Sequence, residues 1–302
     1  MTQGYTRSLS RSEVEWLEAL EAVAAAGKLA VAPLAGTPAG RTVLGRGGGG
    51  DITLALDGVT EDTMLAVLAR SAPGPYSVVS EEVGVVTGPV GAVKVIVDPV
   101  DGSLNAKHGL APYCAALAVA YGETMDDVAI AYTADYTREV SFAAVRGAGV
   151  VRRPAAPSAA VSAGGASTGP AQGAEVEVVL LEAGRPHGYS FGYADLARLA
   201  GEGAGSEMRV RQIGSLALSL GYLAAGIADV LFAPVASRSV DVAGGLLMVW
   251  ESGGDAAALD QTETRRQPLD LERRAPFVAW RAGLDGERIE AAARAILGGR
   301  SG

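Results

Sequence analysis

The sequence predicts a mixed α/β fold in which helices are layered on a sheet, and two patterns carry this prediction. Between residues 76 and 143, strand-like runs follow one another, most of them with no helix-length pattern between, which predicts neighbouring and largely antiparallel strands. Beyond residue 175, strand and helix patterns alternate as far as residue 297, which predicts helices packed against a sheet. No internal repeat is visible in the sequence.

Local signals place the individual elements. Ser10-Arg-Ser-Glu13 has the pattern of a capping box, and apolar residues follow it at helical spacing, so a helix is predicted over residues 11–32. A second helix is predicted over residues 60–70, with acidic residues in its first turn. The predicted strands are Tyr76–Ser80, Val93–Val97, Tyr113–Tyr121, Val128–Thr133, Glu139–Ala143, Val176–Leu181, Met208–Ile213, Asp229–Phe232 and Phe277–Trp280. Helices over residues 191–200, 215–226, 241–252 and 285–297 alternate with the later strands.

Two stretches of biased composition interrupt these elements. Residues 36–50 are rich in glycine, which favours a mobile loop over a phosphate-cradling loop because no Gly-Lys-Ser/Thr follows. Residues 154–174 are mostly Ala, Ser, Gly and Pro without a hydrophobic period, so they mark a boundary or an exposed connection. We therefore expect two domains, covering residues 1–155 and 156–302.

Composition excludes several classes of function. The net charge of −9 argues against a nucleic-acid-binding protein, because such proteins need surplus Lys and Arg to displace counterions. The one cysteine, Cys114, cannot form a disulfide within the chain, which fits a reducing cytoplasm. No signal-peptide pattern and no membrane-spanning apolar stretch is present, so no membrane association is expected. One cysteine and two histidines cannot complete a tetrahedral zinc site.

The most informative run is Val93-Lys-Val-Ile-Val-Asp98-Pro-Val-Asp101-Gly-Ser-Leu-Asn105. An apolar strand leads directly into two carboxylates three residues apart, at a strand end where α/β enzymes place their chemistry. Two carboxylates held close repel each other by roughly 4 kcal/mol at 4 Å and an effective dielectric of 20. A cation must offset that repulsion, and oxygen ligands favour a hard ion such as Mg²⁺. Taken alone, both aspartates could equally be turn residues.

Two further acidic segments favour the metal site. Ser80-Glu81-Glu82-Val83-Gly84 follows a short apolar strand. Val240-Asp241-Val-Ala-Gly-Gly begins an otherwise apolar helix. The carboxylate of Asp241 either faces the groups next to the helix N-terminus or caps the helix.

These three motifs together resemble the inositol monophosphatase family, which belongs to a lithium-sensitive, magnesium-dependent phosphatase superfamily that includes fructose-1,6-bisphosphatase. The resemblance runs from about residue 10 to the C-terminus. It implies a layered α-β-α-β-α sandwich, in which the first half carries most metal ligands and the second carries Asp241 and substrate-pocket residues. The arginine segment near Asp241 is most similar to the branch that accepts both inositol monophosphate and fructose 1,6-bisphosphate.

The resemblance also implies roles for individual residues. Two or three Mg²⁺ ions would be held, the first by Glu81, Asp98 and the carbonyl of Val100, the second by Asp98, Asp101 and Asp241. Asp51, in Gly50-Asp-Ile-Thr-Leu-Ala-Leu-Asp57, would pair with the hydroxyl of Ser103 to orient the attacking water, although the family's threonine falls at Leu54. The amides of Gly102 and Ser103 would hold phosphate oxygens.

The expected reaction is hydrolysis of a small polyol or sugar phosphate by water that Mg²⁺ activates, without a phosphoenzyme. Candidates for substrate contact are Arg209, Arg211, Arg238 and His108, each of which could instead be solvated. Alternative functions are a phosphatase for 3′-phosphoadenosine 5′-phosphate or for a specialised sugar phosphate, and a non-catalytic ligand-binding relative. The resemblance further implies a homodimer. The lone cysteine and the lack of a signal-peptide pattern predict a cytoplasmic location.

Overall fold

The computed structural model describes residues 4–154, 175–183, 192–201, 208–273 and 275–298. Within these ranges the helices are α1 (Arg11–Val31), α2 (Ala55–Ser71), α3 (Ser103–His108), α4 (Tyr193–Ala197), α5 (Leu216–Ala224), α6 (Ser239–Glu251) and α7 (Gly286–Gly298). The strands of the first half are β1 (Val43–Arg46), β2 (Ile52–Leu54), β3 (Tyr76–Ser80), β4 (Gly84–Val86), β5 (Val93–Asp101), β6 (Cys114–Ala120), β7 (Val128–Asp135), β8 (Val140–Val145) and β9 (Gly149–Pro154). Those of the second half are β10 (Val178–Leu181), β11 (Arg209–Arg211), β12 (Val230–Ala233), β13 (Asp255–Ala258) and β14 (Phe277–Trp280).

Two sheets and a small hairpin account for these strands. The larger sheet has the order β4-β3-β5-β6-β7-β8-β9, in which β3 and β5 are parallel and the other neighbours are antiparallel. The smaller sheet has the order β11-β10-β12-β14-β13, with parallel pairing around β10 and antiparallel pairing around β14. Strands β1 and β2 form an antiparallel hairpin. The predicted antiparallel run in the first half is therefore confirmed.

Helices cover both sheets, and this gives five layers. Helices α1 and α2 pack on one face of the larger sheet, through a core that includes Leu20, Leu68 and Val97. Helices α5 and α6 lie between the sheets, in a core that joins residues from both halves of the chain. Helices α4 and α7 cover the outer face of the smaller sheet. The expected α-β-α-β-α sandwich is confirmed.

The central strand β6 shows why the sequence adopts this arrangement. All of its side chains are buried, and they alternate between the two faces. Leu117 and Val119 pack towards α1 and α2, whereas the alanines at 116, 118 and 120 belong to the core that contains α6. Gly244 of α6 brings the helix close to β6, since a Cβ at that position would lie 3.1 Å from the carbonyl oxygen of Leu117. Small side chains on both surfaces thus let α6 reach the sheet closely.

Most element boundaries match the sequence prediction, and the exceptions have local causes. The capping box at Ser10 is present, and the first helix ends one residue earlier than predicted. The second helix begins at Ala55, five residues earlier than predicted, and includes Gly58, which lies against Leu44 and Thr53 of the hairpin. Strands β1, β2, β4, β9 and β13 were not predicted, whereas α3 begins at Ser103, where a helix start was expected. The proposed division near residue 155 stays a prediction, because most of residues 154–174 lie outside the described ranges.

Candidate metal centre and active site

The two motif aspartates lie at the C-terminal end of β5, where the pairing with β6 is irregular and Asp98 is buried. Asp98 pairs with Ala116 and Asp101 with Cys114, so the register shifts by one residue between the two aspartates. The amide of Val100 donates to Asp98 Oδ1 at 3.0 Å, which fixes the carboxylate within the bend. Gly102 then adopts φ +91° and ends the strand at the start of α3, a conformation that favours glycine.

Asp101 is held by the start of α5. Its Oδ2 accepts hydrogen bonds from Ser215 Oγ at 2.5 Å and from the amide of Ala217 at 2.7 Å. These contacts couple the first half of the chain to the second. They also leave Oδ1 of Asp101 outside this pair of hydrogen bonds.

Glu81 lies in a turn that Glu61 anchors from below. The buried carboxylate of Glu61 accepts hydrogen bonds from Ser80 Oγ and from the amides of Glu82 and Val83, the last at 2.6 Å. Burial is the largest cause that raises the pKa of Glu61. Because Glu61 is fixed in α2, this network sets the position of the Glu81 turn relative to the sheet.

Asp241 lies in the first turn of α6, as predicted. Its Oδ2 accepts a hydrogen bond from the backbone amide of Arg238 at 2.7 Å, so the capping role is real. The other oxygen, Oδ1, lies 3.8 Å from Nη2 of Arg238. Capping therefore leaves one oxygen of Asp241 directed towards the acidic cluster.

The guanidinium of Arg238 lies among these carboxylates. Nη2 donates to Glu81 Oε1, and Nη1 donates to Asp51 Oδ2 at 3.2 Å. The residue is 5% exposed, and its Nε has no hydrogen-bond partner. Asp51, half exposed, also accepts from Arg273 Nη2 at 2.7 Å. One buried arginine thus supplies positive charge at a site rich in negative charge.

The acidic groups perturb one another strongly. The pKa of Asp98 is raised well above its ordinary value, first by burial and then by the charges of Glu81, Asp101 and Asp241. Burial likewise raises the pKa of Asp241 to about 6, although Arg238 opposes the shift. Burial is also the largest cause that raises the pKa of Glu81 and of Asp101. Four carboxylates from three separate segments therefore converge. One arginine does not neutralise the negative charge that they carry when they are ionised.

A hard divalent cation fits this donor set. Carboxylates and the carbonyl of Val100 are the oxygen ligands that Mg²⁺ prefers. Within the described ranges, no three Asp, Glu, His or Cys side chains are arranged to hold a metal ion as they stand. Arg238 occupies the space at Glu81 and beside Asp241. The residues fit the ion, provided that Arg238 withdraws from Glu81.

Two neighbouring cavities open onto the cluster and share Val235 and Ala236. The larger measures about 1030 Å³ and is lined by residues that include Asp57, Glu81, Ser103 and Arg238. The smaller measures about 500 Å³ and reaches Asp101 and Asp241 from the side of α5. The acidic cluster thus lies where a small ligand could enter from two directions.

Comparisons with known proteins agree on one family. The family model described as "Inositol monophosphatase family" matches residues 13–297. The chain belongs to the inositol monophosphatase family. It is 30% identical to an inositol-1-monophosphatase of Mesorhizobium japonicum over 226 residues, which cover 70% of this chain and 74% of that protein. It is 28% identical to a fructose-1,6-bisphosphatase/inositol-1-monophosphatase of Methanothermobacter thermautotrophicus over 236 residues, which cover 74% and 78% of the two chains.

Solved structures support the same fold. The Thermotoga maritima IMPase superposes with a TM-score of 0.67 at 19% identity, covering 94% of this chain and 99% of the other. A solved inositol monophosphatase-fructose 1,6 bisphosphatase gives a TM-score of 0.72 at 20% identity, covering 93% and 99%. Family membership makes this chain a phosphoric monoester hydrolase.

In this inositol monophosphatase family member, the predicted metal ligands come together but the predicted water-orienting pair does not. Asp51 is held by Arg238 and Arg273, and no hydrogen bond joins it to Ser103 among the described residues. Ser103 lines the larger cavity together with Asp57, which is 6% exposed. Burial raises the pKa of Asp57 to about 8, followed by the charges of Glu82 and Glu81.

Sequence reasoning overlooked three residues of the site: Asp57, Glu82 and Arg273. Asp57 closes the same Gly50-to-Asp57 stretch that drew attention to Asp51, so its motif was visible. Glu82 accepts a hydrogen bond from Thr53 Oγ1, and burial raises the pKa of Glu82 to about 7. Arg273 carries no local signal, because it reaches Asp51 from a loop more than 200 positions away.

The remaining predicted substrate residues lie elsewhere. Arg209 and Arg211 are exposed on β11, outside the lining residues of both cavities. His108 is exposed at the end of α3 and is likewise absent from both linings. Glu182, which the sequence did not single out, lines the smaller cavity and accepts from the amides of Ile213 and Gly214 and from Ser219 Oγ. It fixes the loop that leads to Ser215.

The glycine-rich segment is docked rather than free. Residues 43–46 form β1, and the amides of Gly48 and Gly49 donate to the carbonyls of Glu82 and Glu81 at 2.7 and 2.9 Å. A Cβ at Gly48 would lie 2.3 Å from the Cα of Gly84. The predicted loop therefore holds for residues 47–50, which pack closely against the Glu81 turn because glycine permits close backbone approach, whereas residues 43–46 form a strand instead.

Proposed function

We propose that the protein is a Mg²⁺-dependent phosphomonoesterase that hydrolyses a small polyol or sugar phosphate, of the inositol monophosphate or fructose 1,6-bisphosphate type. The observation that carries this proposal is the convergence of Glu81, Asp98, Asp101 and Asp241, with the pKa of each raised by burial. Such a cluster is costly without a cation. Relatives named inositol-1-monophosphatase and fructose-1,6-bisphosphatase/inositol-1-monophosphatase support the substrate class.

The four carboxylates and the carbonyl of Val100 would hold two or three Mg²⁺ ions. When bound, Mg²⁺ supplies a water of lowered pKa and offsets the charge of the phosphate and of the leaving oxygen. The amides of Gly102 and Ser103 would hold phosphate oxygens at the start of α3. Arg238, released from Glu81, would remain beside the cavity as a donor to an anion.

Asp57 fits the water-orienting role better than Asp51 does. Asp57 is buried in the wall of the cavity that Ser103 also lines, so its carboxylate and the Ser103 hydroxyl can both hydrogen-bond to one water molecule. A nearby divalent cation would lower the pKa of Asp57 and make it an acceptor near neutral pH. Asp51 instead restrains Arg238 and Arg273.

A phosphate-release assay tests the function. Phosphate should be released from inositol 1-phosphate or fructose 1,6-bisphosphate in Mg²⁺ and not in EDTA, and release from 3′-phosphoadenosine 5′-phosphate should be weaker. Asp98→Asn should lower kcat by at least about a thousandfold, because it removes a charge that the ions share. Arg70→Gln, an exposed change on α2, is the control. Near wild-type turnover by Asp98→Asn would contradict the proposed role of Asp98.

We also propose a cytoplasmic homodimer. The resemblance to the family suggests the dimer, and the buried free thiol of Cys114 agrees with a reducing compartment. None of the described helices is long and apolar enough to cross a membrane. Light scattering at micromolar concentration should give twice the chain mass, and a monomer mass at that concentration would contradict the dimer.

A further inference from the structure

Five basic side chains line the larger cavity, and only two of them pair with carboxylates of the acidic cluster. Arg238 and Arg273 pair with carboxylates there. Arg41, Arg46 and Lys107 line the same cavity, but in the part of the chain that the structure describes no carboxylate lies within ion-pair distance of any of them. In a chain whose net charge is −9, three unpaired cations around one opening form an anion-binding surface.

Arg41 and Lys107 are held together by the backbone. Arg41 Nε donates to the carbonyl of Lys107 at 3.0 Å, and the amide of Gly36 donates to the carbonyl of Ala106 at 2.8 Å. Both acceptors belong to the last turn of α3, where helix carbonyls lack intrahelical partners. Arg41 thus uses Nε for positioning and keeps its terminal nitrogens for a ligand.

Arg46, at the end of β1, is positioned by the hairpin loop. Its Nη1 donates to the carbonyl of Gly50 at 3.0 Å, which ties the side chain to the loop between β1 and β2. The three cations therefore come from three elements, and each of the two arginines is oriented by a backbone carbonyl.

This surface lies one helical turn from the proposed reacting phosphate. Lys107 follows Ser103 by four positions on α3, so the two side chains share a face with Cβ atoms about 6 Å apart. The cavity of about 1030 Å³ lies at the upper end of the size that ligand pockets reach, roughly 300–1,000 Å³. Space and charge both extend beyond the position of one phosphate.

We propose that Arg41, Arg46 and Lys107 form a subsite for a second phosphate on the substrate, so that the preferred substrate is a polyol or sugar bisphosphate. The proposal rests on the proposed function, in which the first phosphate binds at Gly102 and Ser103. Arginines recognise phosphate by paired hydrogen bonds, and lysine adds a point charge. The subsite is distinct from Arg209 and Arg211, which lie outside this cavity.

The test compares fructose 1,6-bisphosphate with inositol 1-phosphate on Arg41→Gln, Lys107→Gln and the double variant. The double variant should raise KM for the bisphosphate about tenfold or more, the loss of one charge-assisted hydrogen bond or more, with a much smaller rise for the monophosphate. Lys107→Arg keeps the positive charge, so its KM for the bisphosphate should stay close to that of the wild-type protein. Arg70→Gln, an exposed arginine outside both cavities, is the matched charge control.

Calorimetric titration of the metal-free protein with the same two compounds provides a readout that does not need turnover. Weaker binding of the bisphosphate in the double variant supports the subsite, even if neither compound is hydrolysed and the proposed function fails. An equal loss for both compounds would show general attraction of anions and would overturn the proposal. Unchanged binding and unchanged KM for the bisphosphate would overturn it as well.

Discussion

Arg238 supplies the positive charge that lies inside the acidic cluster. The side chain is 5% exposed and contacts Glu81, Asp51 and Asp241. Gly49 makes room for it, because a Cβ there would lie 2.4 Å from Nη1 of Arg238. Breaking a buried ion pair by removing one partner leaves the other charge without compensation. The proposed binding of Mg²⁺ at Glu81 would require the same guanidinium to move away from that carboxylate.

Arg238→Gln should therefore make stability depend on metal. In EDTA at pH 8 the variant should lose about 3 kcal/mol of unfolding free energy, because buried carboxylates lose their counter-charge. Mg²⁺ should restore most of that loss. Arg273→Gln, which removes an exposed partner of the same Asp51, should cost under about 1 kcal/mol. Denaturant unfolding of both variants measures this, and equal small losses in EDTA would contradict the role of Arg238.

At the scale of elements, the docked glycine segment and the Glu81 turn support each other. The amides of Gly48 and Gly49 pair with the turn carbonyls, while Glu61 holds the same turn from α2. This arrangement positions Glu81, a proposed metal ligand, which lies on a short turn rather than on a strand or helix. Its geometry depends on backbone approach that only glycine allows at position 48.

Gly48→Ala should weaken metal binding. The added methyl would lie 2.3 Å from the Cα of Gly84, so the segment must shift away from the turn. We expect a loss of about 1–3 kcal/mol in stability and a rise of at least about fivefold in the Mg²⁺ concentration for half-maximal activity. Gly74→Ala is the matched control, since a Cβ there meets no atom within 4 Å. Equal behaviour of the two variants would show that the close approach is not required.

The sequence predicted the long elements and the four carboxylates that the structure brings together, and particular residues show why. Helix α1 carries its own cap and apolar stripe, and the Asp98–Asp101 motif follows its strand directly. Strands β1, β2 and β4 are three or four residues long, too short for a periodic signal. The pairing of Arg273 with Asp51 arises from tertiary structure alone. The raised pKa of Asp57 could not be predicted from the sequence either, because it results from burial in the folded structure.

At the scale of the whole molecule, α6 connects the two sheets at the site. It packs between them and presents Asp241 to carboxylates that the larger sheet and the Glu81 turn supply. Metal binding should therefore depend on the protonation of groups from both halves. The pKa values of Asp241, Glu82 and Asp57 are raised to about 6, 7 and 8, so these acids keep protons above the ordinary range. A cation binds the deprotonated forms, so Mg²⁺ affinity should rise with pH across this window.

The most direct test is a calorimetric titration of the metal-free protein with Mg²⁺ at pH 6 and pH 8, repeated in buffers of different ionisation enthalpy. We predict uptake of two or three ions, at least about tenfold tighter at pH 8, with protons released on binding at pH 6. Asp98→Asn should abolish most of this uptake. No uptake of Mg²⁺ by the wild-type protein, or uptake that Asp98→Asn leaves unchanged, would contradict the convergence of these carboxylates around a divalent cation.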